Sequence, residues 1–216
     1  MKNSSLLVLG VLALVGCPSK PAPPPNVPDA QPTSPVASTT PADAGADQKS
    51  STDQQVTNVV VNEPAPTIEV FFSPNGGCAE KIVARIAAIQ PGGTIRMLAY
   101  GFTSKDISDA MIAAKKRGVD VQAVFDKSDK STQGSKSYDF IINKIPTWFD
   151  GKHAIMHDKV IIFDGKTVET GSYNYTLSAE KANAENCIFI GEAKTAKHYS
   201  DDWDLHKSHS DPAVTQ

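Results

Sequence analysis

Residues 67–72 (Thr-Ile-Glu-Val-Phe-Phe) alternate polar and apolar side chains, the two-residue period of a half-buried strand. Pro74-Asn75-Gly76-Gly77 then turns the chain. Over 78–90 the pattern changes: Ile82, Ile86 and Ile89 form one stripe at helical spacing, and Pro91-Gly92-Gly93 ends that helix. A second strand is predicted over 94–100. Ser104 is placed to cap a helix that runs to Arg117 and stops at Gly118. Residues 120–126 are apolar almost throughout, as expected of a central strand buried on both faces. The polar stretch 127–136 reads as a mobile loop, followed by a short helix over 138–144 and a strand near 146–149. Residues 159–163 form another apolar strand, and Asp164-Gly165 is a hairpin turn leading to a return strand over 166–170. A strand over 185–190 and a closing helix from 194 to about 206 complete the pattern. Strands alternating with helices, with hairpins in the second half, predict an α/β domain whose mixed sheet is flanked by helices on both faces.

Before residue 67 the chain is of a different kind. Lys2 precedes an apolar run from Leu6 to Val15 that is short for a membrane span and reads, over 1–16, as an export signal. Leu14-Val15-Gly16-Cys17 resembles the bacterial lipobox. That resemblance implies cleavage before Cys17, its lipidation, and an exported protein tethered to a membrane, in the periplasm or cell envelope. The alternatives are an ordinary signal peptide with a cysteine near its cut, and an uncleaved anchor. Residues 17–66 are rich in Pro, Ala, Ser and Thr and offer little apolar surface to offset the entropy of ordering, so a disordered tether is expected. Its one apolar patch, 56–61, suggests a short strand or arm. The catalytic domain is expected over 67–210, with a tail at 211–216.

Charge narrows the function only in part. Of 216 residues, 21 are Lys or Arg and 24 Asp or Glu. Setting aside the three lysines and five acids before residue 67 leaves 18 cations against 19 carboxylates. A uniformly basic nucleic-acid binder is excluded, whereas a local positive cleft is not. Lys115-Lys116-Arg117 fall at the end of a predicted helix, where positive charge is favourable without any ligand. Neither a Gly-x-Gly-x-x-Gly nor a Walker pattern accompanies Gly76-Gly77. An exported site permits a disulfide between Cys78 and Cys187, but their sequence settings read better as two unpaired thiols.

The chemistry concentrates at 157–174. His157 and Lys159 are two residues apart, a spacing that in a strand puts both side chains on one face. An imidazole beside a fixed cation suits attack on a phosphate ester. Ser172 and Asn174 repeat the spacing and add neutral donors. Asp164 has the opposite strand parity and starts an Asp-Gly turn, so a structural role outweighs a catalytic one. His153 lies four residues before His157, a metal-binding spacing only on a helix, and reads as a packing or supporting residue. His198, His206 and His209 read as solvated. No carboxylate cluster of metal-ligand type is visible around the motif, so neither metal nor cofactor is expected. Trp148, Trp203, Tyr173 and Tyr175 read as packing residues.

His157-x-Lys159-x4-Asp164 followed by Gly171-Ser172-x-Asn174 resembles the motif of the phospholipase D superfamily. The similarity runs from about Ile68 onward and is closest to the small single-motif bacterial endonucleases. It implies an α-β-α sandwich and metal-independent hydrolysis of DNA, and by extension RNA, through a phosphohistidine. It also implies that Glu185 orients the motif histidine. One histidine attacks phosphorus and a second protonates the leaving oxygen, yet the motif occurs once, so the resemblance implies a homodimer in which each chain supplies His157. Two rivals stand beside this: a phospholipase D or phosphatidyltransferase acting on membrane phospholipid, and a catalytically silent binding protein of the same fold.

Overall fold

The computed structural model describes residues 65–213. The predicted signal segment, Cys17, the patch at 56–61 and nearly all of the proline-rich stretch lie outside the described residues.

The alternating and apolar runs become the strands β1 (Thr67–Ser73), β2 (Thr94–Ala99), β3 (Asp120–Asp126), β4 (Thr147–Asp150), β5 (Lys159–Phe163), β6 (Thr167–Gly171) and β7 (Glu185–Gly191), with a short β8 (Asp211–Pro212). Helices α1 (Cys78–Ala88), α2 (Lys105–Lys116), α3 (Ser137–Ile142), α4 (Leu177–Lys181) and α5 (Ala193–Ser208) connect or flank them. All eight strands join one sheet in the order β1-β7-β6-β5-β2-β3-β4-β8. β2, β3 and β4 run parallel, and the other pairings are antiparallel. This is the mixed α/β sheet expected from the sequence.

The helical stripe of α1 buries Ile82 and Ile86 beside Ile107, Met111 and Ala114 of α2 on one face of the sheet. Ala196 and Trp203 of α5 cover Leu98, Val124, Val160, Ile162 and Val168 on the other. The Trp203 indole N–H donates to the Met97 carbonyl oxygen at 3.1 Å, so the buried ring carries no unpaired donor. Ser104 caps α2, accepting from the Ile107 amide. At the β5–β6 turn, three residues long, Asp164 and Gly165 both take positive φ, 53° and 60°, and the Lys166 amide donates to the Phe163 carbonyl oxygen at 2.9 Å to close it.

Two expectations need correction. Residues 127–136 are not an open loop: a 3-10 helix occupies Lys127–Ser131. Asp129, fully buried, accepts from the Ser135 hydroxyl at 2.5 Å, and the Lys136 amide donates to the Phe102 carbonyl at 2.8 Å. The sheet continues past residue 210, because Asp211 and Pro212 pair with Phe149 and Trp148. α4, too short to show a periodic stripe, adds a helix between β6 and β7 where the sequence pattern predicts no element.

Candidate active site

Parallel strands β2, β3 and β4 point their carboxyl ends the same way, and antiparallel β5 begins at that edge. The carboxyl edge of parallel strands is where α/β sheets place their ligands. Here that edge collects Tyr100 after β2, Asp126 at the end of β3, Asp150 at the end of β4, and the segment 151–158 that leads into Lys159.

His157 is exposed and lies before β5, not within it. Strand alternation therefore does not set its relation to Lys159. The Lys159 ammonium turns back and donates to the His157 carbonyl oxygen at 2.6 Å. The ammonium also stands 5.2 Å from the centre of the Tyr100 ring, and that ring lies 4.8 Å from the His157 imidazole. Lys159 is only 6% exposed. Burial lowers its pKa, opposed by the carboxylates of Asp158 and Glu185. The site thus holds a largely desolvated cation beside an accessible imidazole.

The segment carrying His157 is secured along its length. Asp150 accepts from the amides of Lys152 (2.8 Å) and His153 (3.3 Å). Asp126, almost fully buried, accepts from the Met156 amide at 2.8 Å. The Lys127 ammonium donates to the His153 carbonyl oxygen, and the Tyr100 amide to that of Asp158.

Ser172, one residue past the end of β6, meets Glu185, the first residue of β7. The Ser172 hydroxyl donates to Glu185 Oε2 at 2.6 Å while accepting from the Asn186 amide at 3.1 Å. Gly171 makes this approach possible: a Cβ there would collide with the Asn186 carbonyl oxygen. The Asn183 side-chain amide donates to Glu185 Oε1 at 2.9 Å. Glu185 therefore spends its oxygens on Ser172 and Asn183, and within this chain it does not hold the His157 ring. Its influence on the site is the field it exerts on Lys159. Asn174 packs against Gly101, with its amide oxygen buried and without a hydrogen-bond partner among the described residues, an uncommon state for a buried acceptor.

Asp164 does not join them. It lies at the opposite end of β5, where its carboxylate accepts from the Thr94 amide at 2.8 Å, and the length of the strand keeps it from the reacting edge. Tyr173 and Tyr175 are fully buried, and their hydroxyls donate to Glu180 (2.9 Å) and Glu169 (2.7 Å). Trp148 and Trp203 pack edge to face under the Lys207 ammonium. Cys78 and Cys187 are buried free thiols.

Two histidines expected to be solvated are not. His206 is 8% exposed. With His153 and His209 it surrounds the fully buried Asp150 carboxylate, at 2.8, 2.8 and 3.1 Å from Oδ2. Burial raises the Asp150 pKa, but the hydrogen bonds from these three rings outweigh it and hold the carboxyl far below the usual range. These four side chains form a group able to hold a metal ion, which the sequence reading did not include. The spacings Asp150-x2-His153 and His206-x2-His209 were the visible signal. Only the fold shows that they converge.

A family model described as cardiolipin synthase, PLD-like domain, matches residues 84–205. The phospholipase D of Rickettsia prowazekii is 40% identical over 143 residues, which are 66% of this chain and 69% of that protein. A mitochondrial cardiolipin hydrolase of Chlamydomonas reinhardtii is 31% identical over 118 residues, about half of each chain. Among solved structures, Nuc of Salmonella typhimurium, a phospholipase D family member, is 36% identical. It is matched over its whole length by 70% of this chain, with a TM-score of 0.66. NucT of Helicobacter pylori shares the fold at 20% identity and a TM-score of 0.60. The family match covers the imidazole, the buried ammonium and the Gly-Ser-x-Asn turn alike, and the chain therefore belongs to the phospholipase D superfamily and is one of its phosphodiester hydrolases.

Proposed function

We propose that this protein is an endonuclease that cleaves DNA, and RNA as a second substrate, with little sequence preference, through a covalent phosphohistidine. The observation that carries the reading is the accessible His157 imidazole beside the buried Lys159 ammonium, in a chain holding one such motif. An imidazole nitrogen of His157 attacks phosphorus, and the P–O bond to the leaving nucleoside breaks. The partner's His157, protonated, gives its proton to that leaving oxygen. Water then attacks the phosphohistidine, passing a proton to the same imidazole and freeing His157. Lys159 and Asn174 neutralise and orient the nonbridging oxygens, which otherwise repel a nucleophile. Glu185 fixes Ser172 at the rim and balances the Lys159 charge.

The dimer follows from the proton count: one histidine cannot be nucleophile and protonated acid in the same step. Ile68, Val70 and Phe72 on β1 are 63%, 49% and 59% exposed. They offer an apolar strip at the sheet edge beside β7, whose first residue is Glu185, as a face for the second copy. The rim near His157 carries the Lys127 ammonium, bonded to the His153 carbonyl oxygen, beside the exposed Ile155, and the cation supports a phosphate backbone as the substrate. Lipidation at Cys17 is proposed to tether the enzyme at the cell envelope.

The names of the relatives, phospholipase D and cardiolipin hydrolase, favour a second reading in which the ester belongs to a membrane phospholipid. The purified protein, as isolated and with no added divalent cation, is given plasmid DNA and separately vesicles of phosphatidylglycerol and cardiolipin. Nicking of DNA that is lost in His157→Ala supports the nuclease, and lipid turnover without nicking replaces it with the second reading. In sedimentation the Val70→Glu/Phe72→Glu double variant should be a folded, inactive monomer. An active, stable monomer would sink the shared site.

A further inference from the structure

We propose that Asp150, His153, His206 and His209 form a binding site for a four-coordinate divalent transition metal of the zinc class, which locks the His157-bearing segment to α5. One candidate ligand atom from each of these residues lies within 4.8 Å of the others. Asp150 sits at the end of β4, His153 on the segment after it, His206 in the last turn of α5 and His209 as that helix's C-cap. The donor set is three imidazole nitrogens and one carboxylate oxygen. Zinc-class ions accept this set readily, whereas magnesium and calcium prefer oxygen ligands.

Hydrogen bonding alone accounts poorly for the cluster. Asp150 Oδ1 already accepts from the Lys152 and His153 amides. That leaves the two lone pairs of Oδ2 for three ring nitrogens at 2.8, 2.8 and 3.1 Å. A cation among the four atoms removes the excess. A tetrahedron with bonds of about 2.0–2.1 Å has edges of about 3.3 Å, so the Oδ2–nitrogen separations would lengthen by a few tenths of an ångström while the ring–ring separations, at most 4.8 Å, close toward the same value. Asp150 has no side-chain exposure, while the side chains of His206 and His209 are 10% and 13% exposed. His153, at 45%, is the open side from which an ion enters.

A second feature points the same way. With Nδ1 of His206 turned to the cluster, its Nε2 lies 3.4 Å from Asp158 Oδ2 and 3.8 Å from Asp202 Oδ2. Metal-bound histidines commonly give their other ring N–H to a carboxylate, which fixes the tautomer and strengthens the ligand. Asp158 adjoins His157, so the chain of contacts runs from the metal to the nucleophile's own segment. The ion acts on structure and position, and no step of the hydrolysis passes through it.

The test uses untagged full-length protein, stripped with chelator and dialysed. It is titrated with Co2+ while the visible d–d absorption is followed, then with Zn2+ in competition by calorimetry. One Co2+ per chain with the intense bands of a four-coordinate site, displaced by Zn2+, is expected, together with a rise in Tm on adding Zn2+. His153→Ala, a change at a half-exposed residue, should weaken Zn2+ binding at least tenfold and abolish the Tm rise. His209→Ala should do the same. Failure of the wild-type protein to bind Co2+ stoichiometrically would overturn the site, as would unaltered Zn2+ affinity in both folded variants.

Discussion

The Lys159 ammonium is bonded to the backbone carbonyl of His157, at 2.6 Å. The cation of the motif is thus held by the residue it serves, in a slot where only 6% of the lysine is exposed. A buried ammonium is costly unless paired. Its partners here are one carbonyl oxygen and the distant charges of Asp158 and Glu185, an incomplete set that a phosphate oxygen completes. The energy withheld from stability is available for binding an anion at the reacting centre.

Replacing Lys159 with Met keeps the buried stem and removes the charge. Hydrolysis should fall by about 10²–10³-fold, the usual cost of losing one preorganised donor, while the far-ultraviolet spectrum is unchanged and Tm does not fall. Lys159→Arg should not restore activity, because a planar guanidinium does not fit a slot shaped for an ammonium. Wild-type rates in either variant would remove Lys159 from the mechanism.

Asp126 is a positioning residue. Its carboxylate accepts from the Met156 amide and from the Ser128 amide and hydroxyl, so it ties β3 to the turn before His157. Asp126→Ala leaves these donors unpaired, which should cost about 1–3 kcal/mol of stability and lower kcat about tenfold or more with KM little altered. Asp126→Asn keeps an acceptor oxygen for Met156 and should recover much of kcat. A loss confined to KM would contradict the positioning role.

For Asp164 the expected outcome is reversed. Asp164→Ala loses the acceptor for the Thr94 amide and forces a Cβ-bearing residue without a compensating side-chain bond to φ near 53°. A loss of about 1–3 kcal/mol in denaturant unfolding is expected, with turnover per folded molecule unchanged. Asp164→Asn, which tolerates left-handed backbone and retains an acceptor, should be near wild type. A collapse of kcat in folded Asp164→Asn would restore it to the catalytic set.

Glu169 sets a pH dependence of stability. It is fully buried, and burial pushes its pKa up from 4.5 to about 8, against the hydrogen bond from Tyr175. The folded state therefore holds a proton that the unfolded chain releases above 4.5. The stabilising contribution is complete below that value and is lost as pH rises to about 8. The slope is at most about 1.4 kcal/mol per pH unit. Denaturant unfolding across this range should show the decline in wild type and a flatter profile in Glu169→Gln. Equal slopes would show that Glu169 is ionised in the folded protein.

Strand positions were legible because each rests on a local pattern: 120–126 and 159–163 are apolar runs that no exposed element would carry, and β3 and β5 occupy them. β8 has two residues and α4 five, too short for any period to register. The order of 127–136 escaped notice because Asp129, Ser135 and Ser137 look like solvated polar residues until their side chains are seen bonded to one another. His157 and Lys159 were legible as a pair. Strand alternation does not relate them, since His157 stands outside the strand.

By itself the chain's order of residues determined the α/β class and most strand and helix positions, and it singled out His157, Lys159, Ser172 and Asn174 as candidates for phosphate chemistry. Periodicity and short spacings are properties of neighbouring residues. Tertiary structure alone decided which distant groups surround that motif. It brought Asp126, Asp150 and Tyr100 to one sheet edge because parallel strands end there together. It sent Asp164 to the other end of β5. It also folded the end of α5 back so that His206 and His209, more than fifty residues beyond Asp150, close on the same carboxylate. Such convergence is set by how strands order in a sheet and where a helix packs across it, and no local stretch of sequence records that.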